Sequence, residues 1–94
     1  MKLDTLIHAP VRLRIMSTLL PVEHMSFTAL KAAVGATDGN LATHLAKLEN
    51  AGYVDVTKQF VGRKPLTSYA MSETGRLAFV AYLDMLQALL PPRP

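Results

Sequence analysis

The stretch that decides the fold is Thr37-Asp38-Gly39-Asn40-Leu41-Ala42-Thr43-His44-Leu45-Ala46-Lys47-Leu48-Glu49-Asn50-Ala51-Gly52. Leu41, Leu45 and Leu48 recur at i, i+4 and i+7, a spacing that places them on one face of an α-helix. Thr37 suits the N-cap, because its side-chain oxygen can accept from the free N–H groups of the first turn. Gly52 suits the end, because glycine adopts the left-handed conformation at little cost. The sequence therefore predicts a helix over residues 37–52.

The opposite face of this predicted helix carries short or basic hydrogen-bonding groups, on Asn40, Thr43, His44, Lys47 and Asn50. Asn, Thr, His and Lys side chains bind base edges and phosphates in the major groove of DNA. An amphipathic surface helix with a solvated polar face has the same pattern. Taken alone, the helix leaves both interpretations open.

The residues before this helix predict two more helices. Pro10 suits a first helical position, and Val11 to Leu20 read as a helix that Pro21 stops. Its Arg12 and Arg14 lie off the apolar face, where either a DNA backbone or solvent would suit them. Ser26 can cap a second helix from Phe27 to Val34, which Gly35 closes. Two helices joined by a tight, glycine-containing turn, the second with a polar face, are typical of a helix-turn-helix.

After Gly52 the hydrophobic period changes from 3.6 to 2, which indicates β-structure. Tyr53 to Lys58 alternates between apolar and polar residues, and Leu66 to Met71 can form the returning strand. Residues 59–65 between them contain Gly and Pro and are predicted to be a loop. Arg63 and Lys64 lie near its tip. The hairpin is therefore expected to project as a basic flap that leans on the helices.

Taken together, these segments resemble the winged helix-turn-helix of small bacterial and archaeal transcriptional regulators of the MarR/ArsR-like group. The resemblance implies a mainly α fold with a small β-hairpin, in which residues 1–94 form one domain. In that domain residues 37–52 are the recognition helix, 53–71 the wing and 72–90 a dimerisation helix. The matching stretches are His8 to Met16, Gly39-Asn40-Leu41 with His44-Leu45 and Leu48-Glu49, Ala51 to Val54, Gly62 to Pro65 with Thr67 and Tyr69, and Met71 to Arg76.

The resemblance also implies a homodimer that binds operators in double-stranded DNA and carries no catalytic residues. A two-fold axis would place the two recognition helices about 34 Å apart, in successive major grooves. Expected base-edge contacts are Asn40, Thr43, His44 and Asp38, with Gly39 allowing close approach. Expected phosphate contacts are Thr37, Lys47, Arg63 and Lys64. Asp38 and Leu66 depart from the expected basic pattern, so modest DNA affinity is expected.

The final segment explains why half of the residues are hydrophobic. Ser72 can cap a helix to about Leu90, and this helix is apolar almost all round, more than one domain can cover. We expect Leu77, Val80 and Tyr82 to pack on their own domain. The remaining apolar residues, with the N-terminal turn of a second copy, would then form a two-fold interface. The expected interface residues are Leu3, Leu6, Ile7, Phe79, Leu83, Leu86 and Leu90.

Composition narrows the function classes further. The net charge of +3 fits nucleic-acid binding, and the lack of cysteine excludes disulfides and thiolate metal sites. His8, His24 and His44 have no ligand or catalytic spacing, so neither an enzyme, a cofactor nor a metal sensor is expected. The apolar run is too short to span a membrane and Met1 to Asp4 lack a signal-peptide core, so a cytoplasmic protein is expected. A winged helix that only docks proteins remains the alternative, and a small-molecule effector is left open.

Overall fold

A computed structural model describes residues 3–92. Within that range it contains four helices and three strands, and the strands form one antiparallel sheet in the order β1-β3-β2. The prediction of a mainly α fold with a small hairpin is confirmed. In chain order the elements are α1 (Pro10–Leu19), β1 (Met25–Ser26), α2 (Phe27–Val34), α3 (Asp38–Asn50), β2 (Val54–Val61), β3 (Lys64–Met71) and α4 (Glu73–Leu89).

Three of the helices begin at hydroxyl residues, as the sequence predicts. The side-chain oxygens of Ser26, Thr37 and Ser72 accept hydrogen bonds from the backbone N–H groups three residues later. These bonds satisfy donors that the first helical turn leaves without partners. Helix α1 has no such side-chain bond and begins instead with Pro10 in its first turn.

A single hydrophobic core joins the helices to the base of the sheet. The Leu41, Leu45 and Leu48 stripe is buried, as predicted, and lies in the same cluster as Val54 of β2. Helix α3 therefore turns its apolar face inward and its other face to solvent. The remaining fully or nearly fully buried apolar residues are Ile7, Ile15, Met16, Leu19, Leu30, Val34, Phe79 and Tyr82.

The hairpin is longer and its turn tighter than the sequence predicts. The predicted loop over residues 59–65 is wrong, because the strands continue to Val61 and restart at Lys64. Only Gly62 and Arg63 form the turn, and Gly62 has a φ of 66°. A glycine with positive φ at the first central position is typical of a type II′ turn. Residues 57–65, called the hairpin tip below, are all exposed, so no buried face produces a detectable alternation.

The prediction of which face of α4 meets its own domain is partly wrong. Phe79 and Tyr82 are buried, whereas Leu77 and Val80 are 63% and 43% exposed. Phe79, Tyr82 and Leu86 are spaced at i, i+3 and i+7, so they form one stripe that packs inward. Ile7 is also buried in its own core.

The molecule is elongated, measuring 54 × 24 × 23 Å. Besides the hairpin tip, the end of α4 is exposed, since every described residue from Gln87 to Pro92 is exposed. No helix within residues 3–92 is long and apolar enough to cross a membrane.

Candidate nucleic-acid interface

Backbone geometry fixes both ends of α3. Gly35 ends α2 with a φ of 74°, and two residues later Thr37 Oγ1 accepts from the N–H of Asn40 at 3.2 Å. At the other end the N–H groups of Gly52 and Tyr53 donate to the carbonyls of Glu49 and Leu48, each at 2.9 Å. This pair of bonds is a Schellman motif, which Gly52 permits with a φ of 78°.

The end of α3 is also joined to the start of α4. The N–H of Ser72 donates to the carbonyl of Tyr53 at 3.0 Å, and the Ser72 hydroxyl donates to the carbonyl of Gly52. Gly75 packs directly against this junction, and a Cβ atom on Gly75 would lie 2.1 Å from the Tyr53 carbonyl oxygen. Only glycine fits here, so this close approach sets the position of α4 relative to α3.

A further bond joins this junction to the N-terminal turn. The Tyr53 hydroxyl donates to Asp4 Oδ2 at 2.7 Å, while Asp4 Oδ1 accepts from the N–H groups of Leu6 and Ile7. The hydrogen bond to Asp4, with burial and the carboxylate charge, raises the pKa of Tyr53 to about 12. Tyr53 therefore stays neutral and acts as a donor at physiological pH.

The exposed face of α3 holds most of the residues predicted to contact DNA. The structure exposes Asn40, Thr43 and Lys47 on this surface, and Thr37, Asp38 and Gly39 are exposed at the start of the helix. His44 is half-buried beside them. The helix therefore presents hydroxyl, amide and ammonium groups to one side, which is the arrangement that major-groove contact requires.

Asp38, the unexpected anion at the start of α3, has a cationic partner. Its Oδ1 lies 2.8 Å from Nζ of Lys31 on α2, and both side chains are substantially exposed. A surface ion pair of this kind adds little stability. It offsets the negative charge at the point where DNA would approach, so Asp38 opposes binding less than its sequence context suggests.

Gly39 lies where the first turn of α3 is open to the outside. An added Cβ would meet nothing within 4 Å, and its φ is not positive, so the fold of the chain does not require glycine here. Glycine in a helix costs about 1 kcal/mol relative to alanine. The space that it leaves is on the outer surface, which fits the predicted close approach of another molecule.

Arg12 of α1 orients His44. Arg12 Nε donates to the carbonyl of Leu6, and its Nη1 lies 3.0 Å from His44 Nδ1. Arginine only donates, so Nδ1 accepts and the proton of neutral His44 is on Nε2. Burial, followed by the charges of Arg12 and Lys47, lowers the pKa of His44 below its ordinary value. His44 is therefore a neutral side chain with a defined tautomer.

The hairpin tip carries the predicted basic residues. Arg63 lies in the turn and Lys64 begins β3, and both are exposed. Lys58 adds a third exposed cation on β2, and the sequence has no acidic residue between Val56 and Ser72. Every charged side chain of the tip is therefore cationic.

The structure also shows the surroundings of His8 and of the residues predicted to form an interface between two copies. His8 Nδ1 bonds the hydroxyl of Tyr82 at 2.8 Å, and residues 3–92 contain no group of three side chains suited to a metal ion. Leu83 and Leu90 of α4 are exposed, while Leu3, Leu6 and Leu86 are half-buried. A groove of about 450 Å³ separates α4 from the N-terminal turn, between Leu3, Asp4, Thr5, Ala78, Ala81, Tyr82 and Met85.

Sequence reasoning missed the residues that act across long separations. The Arg12–His44 contact spans 32 positions and the Tyr53–Asp4 bond 49. No local spacing signals such pairs. The sequence pattern placed Lys58 in the alternating strand, so it did not predict that Lys58 belongs to the basic tip.

A family model described as a winged helix DNA-binding domain matches residues 11–90. The match covers both α3 and the hairpin described above. The chain belongs to this winged helix family. The family is described as a DNA-binding domain, and the winged helix expected from the sequence is confirmed.

Individual relatives agree with this assignment. The chain is 37% identical over 78 residues to the uncharacterized protein MJ0432 of Methanocaldococcus jannaschii, covering 82% of this chain and 85% of that one. A transcriptional regulator homologue from Pyrococcus horikoshii is 30% identical with a TM-score of 0.85, covering 92% of this chain and 85% of that one.

A MarR-family regulator from Enterococcus faecalis has the same fold. It is 21% identical with a TM-score of 0.79, and the match covers 89% of this chain and 76% of that one. The match to the Enterococcus faecalis protein shows a shared fold. The family model and the Pyrococcus horikoshii regulator homologue place the chain among DNA-binding regulators.

Proposed function

We propose that this winged helix protein is a homodimer that binds specific operators in double-stranded DNA and regulates transcription. In this proposal α3 enters the major groove and the hairpin, as a wing, contacts the backbone or minor groove. The observation that carries the proposal is the exposed polar face of α3, joined through three residues to a hairpin whose tip is cationic. Those are the two elements that a winged helix applies to DNA.

Different residues are assigned different roles in this proposal. Asn40, Thr43 and His44 contact base edges, and Asp38 does so less strongly because it pairs with Lys31. His44 offers its Nε2–H as a donor, which suits acceptors such as guanine O6 or thymine O4. Phosphate contacts are assigned to Thr37, Lys47, Arg63 and Lys64.

Association between two copies is assigned to the exposed side of α4. Leu77, Val80 and Leu83 recur at i, i+3 and i+6, and all three are exposed. Leu90 continues this apolar surface, and the half-buried Leu3 and Leu6 of the N-terminal turn are assigned to the same association. Phe79 and Ile7 are no longer assigned to the interface, because both side chains are buried in the core of their own chain. A monomer with this apolar surface in water is unfavourable, and a second copy would cover it.

Binding to duplex DNA at two salt concentrations tests the DNA contact. Each phosphate neutralised changes the slope of log K against log salt by about 0.9. Lys64→Ala should weaken binding to all sequences alike and reduce the slope by about one unit. An unchanged slope would remove Lys64 from the interface. If the unaltered protein shows no salt-dependent binding, the protein-docking alternative replaces the proposal.

Sedimentation equilibrium tests the dimer. Val80→Glu places a charge within the proposed apolar interface and should convert the dimer to monomer, whereas Thr74→Glu, on an exposed part of the same helix, should leave it unchanged. A dimer that survives Val80→Glu would show that the association uses another surface. In a separate experiment, sequencing of the genomic fragments that the purified protein retains would identify the operator.

A further inference from the structure

The hairpin tip has an apolar feature that the proposed contacts do not use. Phe60 is 74% exposed and Val61 62% exposed. Large apolar side chains on a projecting tip are unfavourable in water unless another molecule covers them. The two residues are adjacent, so they point to opposite faces of the hairpin.

The strand register shows what accompanies each side chain. Phe60 is directly opposite Pro65, and Val61 is directly opposite Lys64. Residues directly opposite each other in an antiparallel pair share one face. Phe60 and Pro65 thus form a small apolar surface on one face, while the other face mixes an apolar and a cationic side chain.

The face that carries Phe60 is the one turned towards α3. Phe60 shares its face with Val54 and Val56 because strand residues alternate. Val54 is buried in the same cluster as Leu45 and Leu48 of α3. Tyr69, opposite Val56, has its pKa raised by burial and by the charge of Glu49 on α3, which supports the same orientation. A duplex bound on the outer side of α3 would therefore lie on the Phe60 side of the tip.

Charge identifies the class of partner. Lys58 shares the strand face of Phe60, while Arg63 lies in the adjacent turn and Lys64 lies opposite Val61 on the other face. The sequence has no acidic residue between Val56 and Ser72. A partner that covers Phe60 must tolerate this positive field, and a polyanion is favoured. The minor groove is about 6 Å wide, too narrow for two strands about 4.8 Å apart together with their side chains. Only side chains from the tip can enter it.

We propose that Phe60, supported by Pro65, makes an apolar contact with the sugar edges of the DNA minor groove beside the phosphate contacts of Arg63 and Lys64. Apolar side chains are used in minor-groove contacts by several classes of protein. This inference rests on the proposed DNA-binding function. It adds a contact whose strength does not depend on counterion release, because no charge is neutralised.

The experiment compares Phe60→Ser with Val61→Ser, which removes a similarly exposed apolar side chain from the other face. Fluorescence anisotropy with a labelled duplex is measured between about 50 and 200 mM salt. Phe60→Ser should weaken binding about tenfold at every salt concentration with an unchanged slope, and Val61→Ser by less than about twofold. Phe60→Leu should recover part of the affinity. Thermal unfolding should be unchanged, because both side chains are exposed in the free protein.

Other results would overturn the inference. Equal affinity of Phe60→Ser and the unaltered protein would remove Phe60 from the interface, and a slope reduced by a full unit would show that it acts through the neighbouring cations. Sedimentation with vesicles of phosphatidylcholine and phosphatidylserine is run in parallel. Vesicle binding that needs Phe60, with unchanged DNA affinity, would assign the tip to membranes instead. If the unaltered protein binds no duplex, both proposals fail, whereas an unaffected Phe60→Ser alone leaves the proposed function intact.

Discussion

Helix α3 and the hairpin tip belong to one candidate surface, but the protein holds them differently. Thr37 and the Gly52 turn fix the two ends of α3, Arg12 bonds its His44, and Ser72 joins it to α4. The tip extends beyond the core as two strands with every side chain exposed. We infer that α3 is a rigid, pre-positioned element, whereas the tip can adjust to the shape of a duplex.

The largest effect should follow from disturbing the junction that fixes α3. Gly75→Ala would place a Cβ 2.1 Å from the Tyr53 carbonyl oxygen. Because that oxygen belongs to the backbone, it cannot shift without disturbing the junction. Overpacking of this kind costs about 1–3 kcal/mol and more where the contact is this close. We expect a loss of about 3 kcal/mol in the free energy of unfolding, measured by urea denaturation. An unchanged midpoint would show that the junction is loose and that the contrast with the tip is wrong.

A second, smaller effect is expected at Arg12. Arg12→Met keeps the apolar part of the side chain but removes the bonds to the Leu6 carbonyl and to His44. Hydrogen bonds from a charged group contribute about 1.5–3 kcal/mol, so we expect a loss of about 2 kcal/mol in stability and weaker DNA binding. Arg14→Met on the exposed side of α1 is the matched control and should change stability by less than about 0.5 kcal/mol. Equal effects of the two variants would contradict a positioning role for Arg12.

Gly39→Ala should change stability and binding in opposite directions. Alanine meets nothing within 4 Å at this position, so the free protein should gain about 0.5–1 kcal/mol. If DNA approaches the start of α3 closely, the added methyl group should weaken duplex binding in spite of this gain. Stability from urea denaturation and affinity from duplex titration separate the two effects. A variant that is more stable and binds equally well would show that DNA does not approach Gly39.

The parts of the structure that the sequence predicted are those with a local signal. The Leu41, Leu45 and Leu48 stripe and the Thr37 cap lie within one short segment, so spacing and residue type suffice. Helix α4 is apolar on nearly every side, so its periodicity could not show that Phe79 turns inward and Leu77 outward. The extent of the hairpin was missed because its tip has no buried face to produce alternation.

In the candidate site, too, the sequence predicted only what has a local signal. Asn40, Thr43 and Lys47 do lie on one exposed face, since a helix converts spacing into position, whereas Asp38 pairs with Lys31 and His44 is half-buried. The contact of Arg12 with His44 was not predicted, because the two residues are 32 positions apart and only the folded chain brings them together. The pairing of Asp38 with Lys31 depends on the turn that brings the start of α3 back towards α2.

The smallest expected effect concerns pH and His44. Burial and the charges of Arg12 and Lys47 lower its pKa in the folded protein below the ordinary 6.5, so the unfolded chain takes up a proton first as the pH falls. The contribution of His44 to stability is therefore complete above about pH 6.5 and decreases below that value. Urea denaturation at about pH 7.5 and about pH 5.5 measures this loss, which His44→Gln should reduce. A histidine resonance of His44 that titrates at or above 6.5 by NMR would show that burial and the charges of Arg12 and Lys47 do not hold the ring neutral.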